Sequence, residues 1–572
     1  MRSKAFLQHC SSLILLHFTG AFFPEDPEPI NIVPVTGRYT GTFPVFLGKN
    51  QAGESPETMD RLDIQLLKII DRTLYIGAKD YAYSVGLDIE YTKDIYFSDS
   101  LSWKVGRDGV DNCLIRGKPE NECHNFIKVL LRKNDETLLI CGTYAANPYC
   151  RYFKMNSLEP EGEPIKGHGR CPYNYKDGNI ALFSDGDLYS ATASDFMGLD
   201  AVIYRSLGDR PRLRTVKQDS RWLEKPYFVH AVELHDYIYF FFREVSVEHL
   251  SVGKVIVSRV ARVCKNDMGG TMAVLENEWT SFLKARLECS VPGDSPFHFD
   301  MLHSVTDVVS LDGMDVVLAT FSTPANSIPG SAVCAFDMAT VDQTFAGQFK
   351  EQKSSVSIWT AVPVYEVPTP RPGSCAGSAS LKGYISSNAF PLNTLLFSKT
   401  HTLMDKSVPS IAFKPWFQRT VGRDRLTKII ADSTAGPSQD YTVVFVGSEK
   451  GKIMKFLAMT KGSHFPDGSL FLEEMSIYNP EKCKSEGLDD TRIIAMELDK
   501  QRGALYVAFP NCIIRAPLGN CERHGACKKA CIASRDPYCG WVNESCMHLL
   551  PGAPVKFEQD ILNGNTDGLE DC

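Results

Sequence analysis

One pattern recurs seven times along this chain: a buried run of β-formers, a short polar turn, and a returning run. The stretch TLYIGAKDYAYSV at 73–85 shows it, with Leu74, Tyr75 and Ile76 before the turn and Tyr81, Tyr83 and Val85 after it. The same shape returns in TLLICGTYAANPYCRYF, DLYSATASDFMGLDAVIYRSL, YIYFFFREVSV…KVIVSRVARVC, DVVLATFSTP…SAVCAFDM, YTVVFVGSEKGKIMKFL and ALYVAFPNCIIRAPL. The units start near Leu74, Leu138, Leu188, Tyr237, Val316, Thr442 and Leu505. Antiparallel pairs spaced mostly by roughly 50–65 residues, with no helix between most of them, predict an all-β chain folded as a seven-bladed β-propeller.

The interval from Val316 to Thr442 is too long for one blade. It contains VPVYEVPTPRPGS, whose prolines exclude a regular helix or a central strand. Then LNTLLFSKTHTLMDKSV (392–408) places Leu392, Leu395, Leu396, Leu403 and Met404 at helical spacing, which predicts an insertion carrying a short helix. Such an insertion either carries a binding surface on a rigid scaffold or simply pads the propeller.

After Leu518 the β pattern stops and CERHGACKKACIASRDPYCGW begins. The remaining tail is too small to hold a good core unaided, so cross-links are expected. Cys521, His524, Cys527 and Cys531 are ligand-type residues, but they lack the two separated ligand pairs of a structural zinc site. No CxxC redox motif is present, since three residues separate Cys527 from Cys531. A disulfide module is predicted, without a metal.

The opening MRSKAFLQHCSSLILLHFTGAFF has a charged start, an apolar centre and a small-residue exit at Gly20 and Ala21. It predicts a secretory signal peptide at 1–21, hence an extracellular, oxidising destination. Of 18 cysteines, Cys10 falls within that leader, so the remaining set is odd and one thiol is expected to stay unpaired. Cys113 with Cys123, and Cys141 with Cys150, are the two sequence-local pairs.

A net charge of −8 argues against a bulk nucleic-acid binder. The sequence holds no GxSxG elbow, HExxH helix or GxxxxGK[ST] loop, so neither an enzyme nor a cofactor is predicted. His230 and His235, five apart in a strand-like region, are expected to face opposite sides. Two basic stretches remain. YRSLGDRPRLRTVK carries Arg205, Arg210, Arg212, Arg214 and Lys217; QRTVGRDRLTK carries Arg419, Arg423, Arg425 and Lys428. They are either ordinary solvated loops or a positive patch for an acidic partner or a sulfated glycan.

CGTYAANPYC (141–150), NDMGG (266–270), WTSFLKARLECSVPGDS (279–295), NSIPGSAVCAFDM (326–338), PRPGSC (370–375), VVFVGSEKG (443–451) and CIASRDPYCGW (531–541) together resemble the semaphorins. The resemblance runs from about Phe23 to Cys572, and ECHNFIKVLL, YIYFFFREVSVE and FPEDPEP are most similar to the class 6, transmembrane group. It implies a seven-bladed sema domain at 22–518 and a PSI module at 519–572. It also implies an extracellular cue for axon guidance and cell migration. Such a ligand binds the sema domain of a plexin, here of the A type, and clusters receptors as a homodimer. The alternatives are a plexin-like or Met-like receptor ectodomain and, further off, a propeller hydrolase. Class 6 relatives continue into a membrane span and a cytoplasmic tail, so a cell-surface protein is expected if this chain does likewise, and a secreted one as it stands.

Carried over residue by residue, the resemblance implies disulfides Cys113–Cys123, Cys141–Cys150, Cys264–Cys375, Cys289–Cys334, Cys483–Cys512, Cys521–Cys539, Cys527–Cys572 and Cys531–Cys546. Cys171 is left as the buried odd thiol. Relatives usually show two adjacent cysteines where this chain has Ser374 and Cys375. The implied receptor surface holds Lys399 of the KTH segment, the Arg212–Gln218 stretch (Arg212, Arg214, Lys217, Gln218), and Val421 and Arg423. Relatives read TVKHD and RTMVR there; this chain has Gln218 for the histidine and Val421 for the methionine. The implied dimer contact is the NSIPG loop, with Asn326, Ile328 and Pro329, where Ile328 is either an apolar anchor at a two-fold axis or a buried loop residue. Acceptor sites of relatives are replaced here by Asp71, Glu288 and Asp440, leaving Asn543-Glu-Ser as the N-glycosylation sequence.

Overall fold

A computed structural model describes residues 26–32, 43–55, 61–89, 94–249, 253–354, 357–378, 383–420, 422, 424–458, 464–484, 490–552 and 556–572. The leader 1–21 with Cys10, and the candidate residues Val421 and Arg423, lie outside the described residues.

Seven antiparallel sheets succeed one another along the chain, and we number them as blades. Blade 1 runs Leu66–Ile70, Thr73–Gly77, Tyr81–Gly86 and Asp99–Ser102; blade 2 runs Ile127–Arg132, Thr137–Gly142, Tyr149–Lys154 and Pro160–Lys166. Blade 3 spans Ile180–Ser184 to Leu213–Arg214, blade 4 Tyr227–Leu234 to Leu283–Glu288, and blade 5 Met301–Val305 to Phe417–Arg419. Blade 6 spans Leu426–Ala435 to Leu470–Ser476 and blade 7 Ala495–Asp499 to Ile513–Pro517. Each expected start, from Leu74 to Leu505, falls in the second strand of a blade. Those strands are covered on both faces: Thr137–Gly142 is buried at every position. They therefore read as near-continuous apolar runs.

The ring is closed by the N-terminal segment. Val45–Phe46 pairs antiparallel with the last strand of blade 7, Val45 opposite Ile514 and Phe46 opposite Ile513. Closure of this kind removes the open edge that a linear array of sheets would leave. Asn31–Ile32 adds a parallel strand to the rim of blade 6.

The insertion sits inside blade 5, between its third strand, Ser331–Asp337, and its fourth, Phe417–Arg419. It begins with the helix Met338–Phe345, whose N-cap Asp337 accepts hydrogen bonds from the amides of Ala339 and Thr340. Its second helix is Leu392–Thr400, shorter than the apolar spacing over 392–408 suggested. Leu403 and Met404 are buried beyond the helix end in extended chain: Lys284 donates to Thr402, and Lys350 donates to Leu403. Leu392 and Leu396 face solvent instead of the core. His230 also departs from expectation: it lies in Tyr227–Leu234, but His235 occupies the following turn with φ 53°, so the two are not alternate positions of one strand.

The eight cysteine pairs implied by the resemblance are all joined, and Cys171 is buried and free. The sulfurs of Cys521, Cys527 and Cys531 are thus committed to disulfides rather than to a metal. Burial pushes the Cys171 thiol up, leaving it a poor nucleophile. Denatured, unreduced 22–572 protein, which lacks Cys10, should accordingly yield one reactive thiol per chain and folded protein none, by titration with a chromogenic thiol reagent; zero after denaturation would mean Cys171 is paired.

The cysteine-rich module packs on blades 6 and 7 through a buried ionic cluster. Lys455, on the third strand of blade 6, is 0% exposed; its Nζ lies 2.5 Å from Asp536 and 3.0 Å from Glu473, and donates to the Leu518 carbonyl. Arg523 approaches Glu473 at 3.0 Å, and the Tyr538 hydroxyl donates to Asp432 at 2.8 Å. The tip of the module's hairpin, Asn543–Glu544, is exposed with both residues at positive φ, as a two-residue hairpin turn requires. Replacing Lys455 by Met would strand the Asp536 carboxylate in the interface. It should lower stability by about 3–5 kcal/mol in urea unfolding; a change below about 1 kcal/mol would mean that this interface is hydrated.

His303, on the first strand of blade 5, offers a pH signature. Burial first, then the neighbouring Arg243, Arg425 and Lys428, pushes its imidazole from 6.5 down to about 3. The folded ring thus refuses a proton that the unfolded ring accepts. Its contribution is intact above pH 6.5 and drains away as pH falls toward 3. By pH 5 the loss is about 2 kcal/mol, and His303→Asn should flatten that part of the acid limb in urea titrations at pH 7 and 5.

Candidate interaction surfaces

The helix Leu392–Thr400 is held by residues that are far apart in sequence. Asp267 of NDMGG is buried and accepts from the amides of Gly269, Thr280 and Ser281 and from the hydroxyls of Thr280, Ser281 and Ser387. One carboxylate thereby ties NDMGG to the WTSF segment and to the insertion. Cys264–Cys375 makes a second tie. Leu395 joins the core around Trp222, Trp279 and Phe282, and Trp222 stacks on Phe282 at 4.9 Å. The Trp222 indole donates to the carbonyl of Lys399 at 3.0 Å, and the Thr402 hydroxyl donates to Arg221 at 2.7 Å.

These contacts place Lys399 beside the Arg212–Gln218 stretch. Its ammonium and the Arg214 guanidinium face Glu278, whose carboxyl is pushed up by burial against the pull of both cations. The stretch itself is shaped by Asp200. Arg214 lies 2.8 Å from each Asp200 oxygen, and Ser194 donates to the same carboxylate. Burial opposes ionisation of Asp200, but those bonds and the Gln218 amide hold its carboxyl below the usual range. Gln218 is consequently fixed at φ 51°. Arg212, Lys217 and Gln218 are exposed, whereas Arg214 is half-buried and committed to Asp200.

The basic stretches do not merge into one patch. Arg205 is buried, donating to the carbonyls of Pro211, Lys265 and Asp267, and Arg210 pairs with Asp185 and Asp187. Arg419 pairs with Glu474, and Lys428 lines the axial cavity of the ring. Gly422, Asp424 and Arg425, which flank the positions outside the described residues, line a cleft of about 330 Å3 with Pro329 and Gly330. The second stretch therefore borders the NSIPG loop rather than Lys399.

That loop is pinned at its base. Thr323 donates its hydroxyl to the Ile328 carbonyl at 2.7 Å and accepts from the Gly330 amide at 3.1 Å. Asn326, Ile328 and Pro329 are exposed, Ile328 at 61%, so the reading of Ile328 as a buried loop residue is replaced by an apolar side chain facing solvent.

The Sema domain family model matches residues 302–488, and the PSI model, described as a plexin repeat, matches residues 520–565. Semaphorin-6A of Mus musculus is 61% identical over 98% of this chain and 54% of its own length; Semaphorin-6D of Homo sapiens is 51% identical over 98% and 52%. Drosophila Semaphorin 1b, extracellular domains 1-2, superposes with a TM-score of 0.77 at 31% identity, covering 91% of this chain and 96% of that one. The chain belongs to the semaphorins. Its class 6 character, read from ECHNFIKVLL and YIYFFFREVSVE, is borne out by these identities. This semaphorin spans about half the length of the curated relatives it matches. A chain in the structure of Drosophila Plexin A in complex with Semaphorin 1b superposes at TM-score 0.76 and 32% identity, over 91% of this semaphorin and 96% of that chain. Plexin A4 shares the fold alone, at TM-score 0.61 and 16% identity over 89% of this chain and 50% of that one.

The sequence singled out Lys399 and Gln218 but missed Asp200, Glu278 and Trp222, which position them. Each lies in a different segment, and only WTSF among the motifs hinted at the arrangement.

Proposed function

We propose that this semaphorin is the extracellular sema and PSI portion, 22–518 and 519–572, of a guidance ligand. It binds the sema domain of an A-type plexin, and its homodimers bring two receptors together. It acts by binding rather than by catalysis, and the signal is carried by the receptor. The observation that supports this reading best is the close superposition on the semaphorin-like chain of a plexin complex. The cationic edge at Lys399, Arg212 and Lys217, next to the exposed Gln218, supplies a contact face on a rigid scaffold. The exposed Ile328 at the tip of a pinned loop supplies an isologous contact. With 51–61% identity to semaphorins against 16% to a plexin, the ligand reading is favoured over a receptor ectodomain. An extracellular, cell-surface location is the reading that fits its similarity to class 6 semaphorins.

The test is equilibrium binding of the purified 22–572 protein to ectodomains of A-, B-, C- and D-type plexins. Saturable binding to at least one A-type plexin, and weaker binding to the others, is the expected result. Failure to bind any A-type plexin would overturn the assignment.

A further inference from the structure

The first strands of the seven blades, or the residues just before them, enclose an axial cavity of about 640 Å3. That volume is on the scale of small-molecule sites. Its wall is basic: Arg61, Lys128, Lys176, Arg243, Lys428 and Arg492 outnumber Asp63, Asp177 and Asp490. Arg61 is answered by Asp63 at 3.2 Å, Lys176 by Glu122 at 2.8 Å and Arg492 by Asp490 at 3.5 Å.

Three cations are left over, one each from blades 2, 4 and 6. Lys128 donates only to neutral groups, the Tyr175 carbonyl at 2.8 Å and the Gln65 side chain at 3.4 Å. Arg243 lies over the Tyr227 ring at 3.9 Å and donates to the Leu302 carbonyl. Lys428 forms no ion pair or hydrogen bond through its ammonium among the described residues, and the nearby Arg492 adds a like charge rather than a counter-charge. Burial pushes both lysines down to about 8, and Lys428 adds to the effect at Lys128, so the two charges oppose each other across the cavity. Both side chains are still partly reached by solvent. Asp177 of the same wall pulls on the Lys128 charge but forms no ion pair with it, and cations held in a low-dielectric wall without a paired counter-charge are costly. Three of them converging on one open cavity form a receptor for anions.

We infer that the axial cavity of this propeller binds a small anion bearing two or more sulfate or phosphate groups, held by Lys128, Arg243 and Lys428. This site is separate from the Lys399 edge and from the Ile328 loop, and does not depend on the plexin reading. The separation of the three cations around the ring favours a multivalent ligand over a single monovalent ion. The two sources of such chemistry are the end of a sulfated saccharide and a phosphate compound.

The test is isothermal titration of the 22–572 protein with two probes, a fully sulfated heparin disaccharide and inorganic tripolyphosphate, at physiological salt. One-to-one saturable binding of either is expected, and the stronger probe identifies the source. The Lys128→Met/Lys428→Met variant should lose at least about tenfold in affinity. Its melting temperature without ligand should be unchanged or higher, because two uncompensated cations are gone. On the unaltered protein, the bound probe should protect Lys128 and Lys428 from acylation, read by mass spectrometry. Absence of saturable binding, equal affinity in the variant, or binding that leaves both lysines unprotected would each overturn the assignment.

Discussion

The variant Lys399→Asp should bind an A-type plexin ectodomain at least about a hundredfold more weakly than the unaltered chain, roughly 3 kcal/mol. The change removes a cation from the last turn of the 392–400 helix and sets an anion beside Glu278 and Asp219. An acidic partner would then meet a new carboxylate next to Glu278 in place of a cation, with Asp219 already paired to Arg221. The fold should survive, because it is the Lys399 carbonyl, not its ammonium, that accepts from Trp222. Surface plasmon resonance measures the affinity, and an unchanged thermal melt confirms that the scaffold is intact. Gln218→His gives a finer probe of the same edge, since it restores the residue of class 6 relatives at a fixed, exposed position.

Ile328→Glu should convert dimer to monomer. At a two-fold axis each copy presents the same loop, so the substitution places two carboxylates near each other in a surface that must dehydrate. The expected loss is roughly 3–5 kcal/mol, or more than a hundredfold in the dimer dissociation constant. Thr323 holds the loop through the Ile328 carbonyl and the Gly330 amide, neither of which is altered. Sedimentation velocity over a range of concentrations reads the result. The same dimer fraction in both proteins would remove this loop from the interface. A monomer that still binds plexin but no longer brings two receptors together would separate binding from clustering.

The middle strands of each blade were legible because they are covered on both faces and so read as mostly apolar runs, with charged residues among them, such as Lys455, paired in the interior. The outer strands were not. Pro160–Lys166 is exposed at nearly every position and carries Glu161, Glu163 and Lys166, which reads as a loop in any window. The closing strand Val45–Phe46 is only two residues long and is defined by its partner in blade 7, 469 positions from Val45 at Ile514. The insertion was visible as an overlong interval, but its place inside blade 5 was not, since the fourth strand, Phe417–Arg419, lies beyond it. Lys399 and Ile328 came from the family resemblance alone; nothing in their spacing distinguishes them. The cations of the axial cavity were hidden for another reason. Lys128 in FIKVLL and Lys428 in LTKIIA look like the solvent-facing positions of half-buried strands. In a closed ring, one edge of the sheet faces the axis instead of bulk water, and only the structure shows which lysines point there.

The most direct test of the central claim is a hydrogen-exchange footprint of the 22–572 protein with and without a saturating A-type plexin ectodomain. The account predicts slowed exchange in the 392–400 helix and in 212–219, with the Asn326–Gly330 loop unaffected by the receptor. Protection confined to other blades, with both of those segments exchanging as in the free protein, would contradict it.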